Sequence, residues 1–159
     1  MDSRDRDPSG RARNTRPRDG LGRPLPHGAR GVERVPEDVV LSPDDAVGQA
    51  QRLIDDGYPF HAHEVFEAVW KATSGEHREL WQGLAQLAVG LTHVQRGNAK
   101  GAVALLRRGA DRIDSYAGES PHGLDVAGLA GHARSLAARI EREGNCAAAA
   151  GSLRLRLRS

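Results

Sequence analysis

Two stretches of the sequence place His, Glu and Gln side chains at spacings that suit chemistry. In the first, His63 and Glu67 are four residues apart, so on a helix they lie within about 40° of each other on one face. In the second, Gln82 and Gln86 have the same spacing. Helical proteins use imidazole and carboxylate groups at this spacing as metal ligands, and the same groups can exchange protons with a substrate. These four residues are therefore the first candidates for a functional site.

The two stretches bring these polar side chains together if they form an antiparallel helical hairpin about Ser74. Residues equally far from the turn then face each other. His63 comes level with Gln86, and Glu67 comes level with Gln82. An unpaired buried polar group costs about 1–3 kcal/mol, so polar residues on an apolar face need partners. We therefore predict one buried cluster of the four side chains between the second and third helices.

Three interpretations of this cluster stay open. In the first, His63 and Glu67 bind a divalent metal ion. The third ligand then comes from Glu64, Glu79 or His93, since Gln is a poor ligand. In the second interpretation, His63 or Glu67 is a general acid or base whose pKa is tuned by burial. In the third, the cluster is a hydrogen-bond network that sets the helix register.

Some neighbouring residues have simpler interpretations. Trp70 and Trp81 are expected to be core residues because their spacing follows the apolar faces. His61 lies about 160° around the helix from His63, so we predict that it is exposed. Cys146 has no nearby His and is expected to be inert. The His63–Glu67 run is not the zinc-protease motif, because a Glu stands where the second His belongs.

The elements that must position these residues are helices. Three residues are each followed by a helical apolar pattern and are therefore predicted to be helix N-caps: Ser42, Asn98 and Asp125. Thr73 with Glu76 fits a capping box for the third helix. That helix is apolar nearly all round and should be central. The five predicted helices are 43–54, 59–72, 76–96, 99–116 and 126–143.

The chain divides into a helical body with basic ends. Residues 1–36 form an Arg-, Pro- and Gly-rich arm that predicts disorder, and residues 37–144 form the all-helical domain. Residues 145–159 end in alternating Leu and Arg, a strand-like pattern with no sheet to join, so we predict a disordered basic tail. The predicted fold class is all-α, a single compact bundle of about five helices with disordered N- and C-terminal tails.

Composition narrows the class of protein and its partners. One Cys excludes a disulfide framework, and the longest uncharged stretch, Leu80–Gln95, is shorter than the roughly 20 residues of a spanning helix. The N-terminus has no apolar leader, so the expected location is the cytoplasm. The net charge is +2, but residues 36–150 alone carry −5. Nucleic acid is therefore expected to bind only weakly, through the tails, and the composition leaves homo-oligomerisation open.

The motifs taken together resemble the family called domain of unknown function 309. The resemblance covers residues 42–115 and rests on the runs 60–70, 81–89 and 96–102 with His93. It implies an all-α bundle, and the family has been labelled a predicted metal-dependent hydrolase. The residues at the family's motif positions are His63, Glu64, Glu67, Trp70, Gln82, Gly83, Gln86, His93 and Asn98.

The sequence therefore predicts a helical protein that binds a small molecule or a divalent metal ion, with hydrolase activity as the expectation from the resemblance. The alternative is a non-catalytic scaffold or interaction protein in which the polar cluster only fixes helix register. In the first case His63 and Glu67 are also the metal ligands. The catalytic candidates are His63, Glu64 and Glu67, and the substrate-binding candidates are Trp70, Gln82, Gln86 and His93.

Overall fold

The computed structural model describes residues 5–6, 12–13, 41–147, 149–152 and 154–158. In the arm, two two-residue strands pair antiparallel, β1 (Asp5–Arg6) with β2 (Ala12–Arg13). The sequence pattern does not predict this pair. The rest of the arm, 1–36, for which we predict disorder, lies outside the described residues.

Five α-helices build the domain, which confirms the all-α fold. They begin and end within two residues of the predicted limits, except that α4 stops three residues early and continues as a short 3-10 turn, Asp114–Tyr116. Further 3-10 turns cover Pro121–Gly123 and Ala149–Ser152. The helices are α1 (Pro43–Asp55), α2 (Pro59–Ala72), α3 (Arg78–Gln95), α4 (Ala99–Ile113) and α5 (Val126–Glu143).

Helix starts follow the predicted caps with one exception. The side chains of Ser42, Asn98 and Asp125 each accept a hydrogen bond from the backbone N–H three residues on. The predicted capping box of Thr73 with Glu76 is wrong. Thr73 is the C-cap of α2 instead, and its hydroxyl donates to the carbonyl of Val69 at 2.7 Å. The third helix therefore begins later, at Arg78.

The third helix is central, as its apolar pattern predicts. It packs against both α2 and α4, while α1 covers α2 and α5 covers α4. Trp81 is almost fully buried and lies 6.3 Å from the ring of Phe66 on α2. None of the helices among the described residues combines the length and apolar character needed to cross a membrane.

Glycines bring α3 and α4 unusually close. A Cβ on Gly83 would lie 2.5 Å from the Cγ2 of Ile113 and 3.2 Å from the carbonyl oxygen of Gly109. A Cβ on Gly109 would lie 2.9 Å from the carbonyl oxygen of Gly83. Since real Cβ atoms do not approach this closely, the two glycines set the distance between these helices.

The C-terminal end packs onto the domain instead of trailing from it. Burial alternates along residues 154–158: Leu155 and Leu157 are buried at 2% and 1% exposure, whereas Arg154 and Arg156 are exposed. The side-chain amide of Gln51 donates to the carbonyl of Leu155 and accepts from the N–H of Leu157, both at 2.8 Å. This corrects the prediction of a disordered tail at 145–159 for its described residues. The alternation of Leu and Arg places Leu155 and Leu157 on one side of the segment. The helical domain provides the surface against which these two leucines are buried.

Candidate functional site

The face of α2 that enters the core is not the one the sequence predicts. His61 is 1% exposed and lies among the core residues of this helix, Ala62, Val65, Phe66 and Val69. The prediction that His61 is exposed is therefore wrong. The aromatic rings at positions 60 and 70 lie beside the core face, which is formed instead by His61 and its four buried neighbours. As a result, His63 and Glu67 lie on a half-buried flank of α2.

On this flank His63, Glu67 and Lys71 form a connected line. The Nε2 of His63 is 2.9 Å from the Oε2 of Glu67, and the Nζ of Lys71 is 3.0 Å from its Oε1. The hydrogen bond from His63 lowers the pKa of Glu67 to about 2; burial opposes this shift, and Lys71 adds to it. Glu67 is therefore ionised at neutral pH.

Two buried nitrogen atoms on this flank lack a hydrogen-bond partner among the described residues. They are the Nδ1 of His63 and the Nε1 of Trp70. Around them lie aromatic and cationic groups: the ring of Phe60 is 5.4 Å from that of His63, and the guanidinium carbon of Arg78 is 4.4 Å from the centre of the Trp70 ring. Such a cation–π contact contributes about 0.5–1 kcal/mol at an exposed position. Trp70 is thus half-buried against the core, with one side of its ring covered by Arg78.

Gln82 and Gln86 bond to α4, not to α2. The Nε of Arg112 donates to the Oε1 of Gln86 at 3.1 Å, and its Nη1 donates to the Oε1 of Gln82 at 3.3 Å. The same Nη1 forms an ion pair with Glu79. These three acceptors are three and four residues apart, so they line one face of α3. One guanidinium therefore joins three acceptors along two turns of that helix.

The four predicted cluster residues thus lie in two hydrogen-bonded groups, which corrects the prediction of one cluster between α2 and α3. The reason is the rotation of α3, which meets α2 through Trp81 and turns the glutamines toward α4. The sequence pattern does not single out Arg112, because a basic residue near a helix end is typical of a solvated surface. Its position three residues after Gly109 was the available signal.

His93 lies at the turn between α3 and α4. The side-chain amide of Asn98 donates to the Nδ1 of His93 at 3.2 Å, and a Cβ on Gly101 would come within 3.1 Å of the His93 ring. Burial, with a smaller contribution from Arg96, lowers the pKa of His93. The neighbouring Gln95 donates to the carbonyl of Gly57, so this end of α3 lies beside the start of α2, as the hairpin register predicts.

In the part of the chain that the structure describes, the predicted metal ligands do not come together as a metal site. Among the described residues, no three His, Cys, Asp or Glu side chains converge as ligands. The Nε2 of His63 and both oxygens of Glu67 are already engaged. Two of the predicted third ligands are also committed, Glu79 to Arg112 and His93 to Asn98.

Comparison with known proteins gives a family model that is similar to part of the chain. Searches of curated proteins and of solved structures found no match to the chain. A family model does match, from within α1 to the middle of α4, and its span includes the α2 flank, the glutamines of α3 and the turn at Asn98. The resemblance seen in the motifs is thereby confirmed: over residues 47–105 the chain matches the model of the family described as Domain of unknown function (DUF309).

Proposed function

We propose that this protein is a non-catalytic helical scaffold in which the polar residues of α3 set its register against α4. The observation that supports this most strongly is the set of hydrogen bonds from Arg112 to Gln82 and Gln86, together with its ion pair to Glu79. A satisfied polar network in a close helix contact specifies one register, because any slip leaves several polar groups unpaired.

The protonation state of Glu67 supports the same proposal. A general acid or base works best when its pKa lies near the operating pH. The pKa of Glu67 is held at about 2, so at neutral pH this carboxylate has little tendency to accept a proton. Gln82 and Gln86, the candidate substrate-binding residues on α3, use their carbonyl oxygens internally.

The scaffold proposal is tested by comparing two arginines of α4. Arg112→Met leaves partly buried acceptors on α3 without a donor, so we expect a loss of about 1–3 kcal/mol in the free energy of unfolding. Arg107→Met is the matched control, because among the described residues Arg107 pairs only with the exposed Glu141 of α5, and solvent screens such a pair so that it contributes little. Urea denaturation measures both. Equal losses in the two variants would contradict a register-setting role for Arg112.

A metal titration separates the scaffold from a metal-dependent hydrolase. The scaffold predicts that Mg²⁺, Mn²⁺ and Zn²⁺ leave the melting temperature of the wild-type chain unchanged. His63→Ala and Glu67→Ala then lower the melting temperature by amounts that do not depend on added ion. A metal-induced rise in melting temperature that both variants abolish would overturn the scaffold proposal.

A second candidate function is acid–base chemistry at His63, supported by the buried Nδ1 atom that lacks a partner among the described residues. When a carboxylate accepts the proton of one imidazole nitrogen, the other nitrogen is left as a proton acceptor. Glu67 supplies that carboxylate, and Trp70 would contact the bound molecule through its own unpartnered nitrogen. Hydrolysis of p-nitrophenyl acetate tests this candidate. Activity should disappear in His63→Ala and persist in His132→Ala, an exposed control on α5; equal activity in both variants would refute it.

A further inference from the structure

A groove runs between α1 and the C-terminal segment 154–158, on a different part of the domain from the α2 flank. Its cavity has a volume of about 650 Å³, which is within the size range of small-molecule sites. Gly48 contributes no side chain to the groove, and Val47 and Leu155 give it an apolar part. The groove is therefore large enough for a ligand with an organic body as well as a charged group.

The charge of this groove is opposite to that of the helical body. Four arginines and two aspartates line it, whereas residues 36–150 as a whole carry a net charge of −5. Positive charge in this groove would therefore favour an anion at a site where the surrounding domain repels one.

Three of the four arginine side chains are not held by a hydrogen bond or ion pair to the described residues. Arg158 bonds to Asp44 and to the carbonyl of His122. The side chains of Arg52, Arg154 and Arg156 make no hydrogen bond or ion pair with the residues the structure describes, and all three residues are exposed. Arg154 and Arg156 alternate with the buried Leu155 and Leu157, so both arginine side chains lie on the exposed side of the segment.

Gln51 holds that segment in place. Its single amide donates to Leu155, accepts from Leu157 and also donates to Asp55. The carboxamide thus bonds the backbone on both sides of Arg156. This fixes the spacing of the two segment arginines relative to Arg52, which is the next residue of α1.

We propose that this groove binds a phosphate ester of a small hydroxyl-bearing molecule, such as a sugar phosphate. Arg52, Arg154 and Arg156 would contact the phosphate, because guanidinium groups bind phosphate oxygens through paired, charge-assisted hydrogen bonds. Asp55 and Asp56 line the same groove and would accept hydrogen bonds from the hydroxyl groups. This binding role goes beyond the scaffold proposal and does not depend on it.

Calorimetric titration of the full chain with ribose 5-phosphate, inorganic phosphate and ribose tests the assignment. Ribose 5-phosphate should bind more tightly than either of the other two. Arg52→Gln and the double variant Arg154→Gln with Arg156→Gln should each weaken it by about 10-fold or more, from the loss of hydrogen bonds to a charged group. Arg142→Gln, which removes an exposed arginine of α5 outside the groove, should leave the affinity unchanged.

Three outcomes would overturn the proposal. The first is the absence of binding by ribose 5-phosphate. The second is an equal loss of affinity in Arg142→Gln, since the attraction would then come from general surface charge. The third is inorganic phosphate binding as tightly as ribose 5-phosphate. A further variant, Asp56→Asn, should weaken binding of ribose 5-phosphate and leave that of inorganic phosphate unchanged.

Discussion

At the residue scale, the best-defined feature of the α2 flank is the carboxylate of Glu67. It bonds to His63 one turn before it and to Lys71 one turn after it, so two neighbours on its own helix stabilise its charge. The consequence is a strong local preference for the ionised form, in a group that is still 36% exposed. Both the pairing and its pH dependence can be measured at this one position.

We expect His63→Ala to raise the pKa of Glu67 from about 2 toward its ordinary value of 4.5, because the hydrogen bond from His63 is the largest cause of the shift. Carboxyl-carbon NMR titration measures this directly. Glu141 is the internal control, since the lowered pKa of its carboxyl depends on Arg107 and should not change. A wild-type Glu67 that titrates near 4.5 would contradict the structure at this position.

The same shift fixes the sign of a pH effect on stability. A carboxyl whose pKa is lower in the folded chain stabilises the fold above its unfolded pKa, and this contribution disappears as pH falls toward the folded pKa. Glu67→Gln should therefore destabilise the protein at pH 7 by about 0.5–1 kcal/mol, a modest figure because solvent screens the pair. The difference between variant and wild type should narrow between pH 4.5 and pH 2. A difference that does not vary with pH would show that packing, not charge, is responsible.

At the element scale, the contact of α3 with α4 depends on residues without side chains. Gly83 follows Gln82, and both Gln82 and Gln86 accept from Arg112, so the close approach and the hydrogen bonds occur at the same place. The glycine lets the helices come together, and the arginine then holds them at one longitudinal position. The Gln-Gly-x-x-Gln pattern is thus a single packing unit.

Gly83→Ala should lower the free energy of unfolding by about 1–3 kcal/mol, the usual cost of forcing extra atoms into a packed contact. Gly131→Ala is the matched control in α5, where nothing lies within 4 Å of an added Cβ. There the alanine should stabilise the helix by about 0.5–1 kcal/mol through its better helix propensity. Chemical denaturation of both variants measures the difference. Changes of the same sign would show that α3 and α4 have room to separate.

Helices and their caps could be predicted because their signals are local. Asn98 and Gly101 are only three residues apart, and the capping bond needs nothing else. The face of α2 that packs into the core could not be predicted in this way. His61 and His63 occur in the same local sequence, and only contacts with other helices decide which of them is buried. The hydrogen-bond partner of Gln86 could not be predicted either, because Arg112 is 26 residues away in the sequence.

At the scale of the whole molecule, the two ends of the helical domain are joined. Arg158 near the C-terminus bonds to Asp44 in the first turn of α1 at 2.7 Å, and the carbonyl of Leu157 accepts from the N–H of Asp125 at 2.8 Å. Gln51 connects to the segment across more than 100 residues of chain. No local pattern could reveal that connection, although the alternation of Leu and Arg did indicate an extended segment with one apolar side.

Gln51→Leu should release the C-terminal segment, because it removes the bonds to Leu155 and Leu157. Hydrogen exchange at the amide of Leu157 should become faster, while exchange in the middle of α3 stays slow. Gln49→Leu makes the same change on the same helix at a side chain that has no hydrogen bond to the described residues, and it should leave the Leu157 amide protected. If both variants exchange alike, Gln51 is not what holds the segment.

Cys146 begins the stretch that packs back onto the domain, and it is the one cysteine in the sequence. It is buried, and that burial raises the pKa of its thiol. A thiol reagent reacts with the exposed thiolate, so labelling of Cys146 requires a local opening of the structure around the end of α5. The rate at which the reagent labels Cys146 therefore depends on how often this opening occurs. The single cysteine of the sequence therefore reports local opening at this position, and no engineered probe is needed.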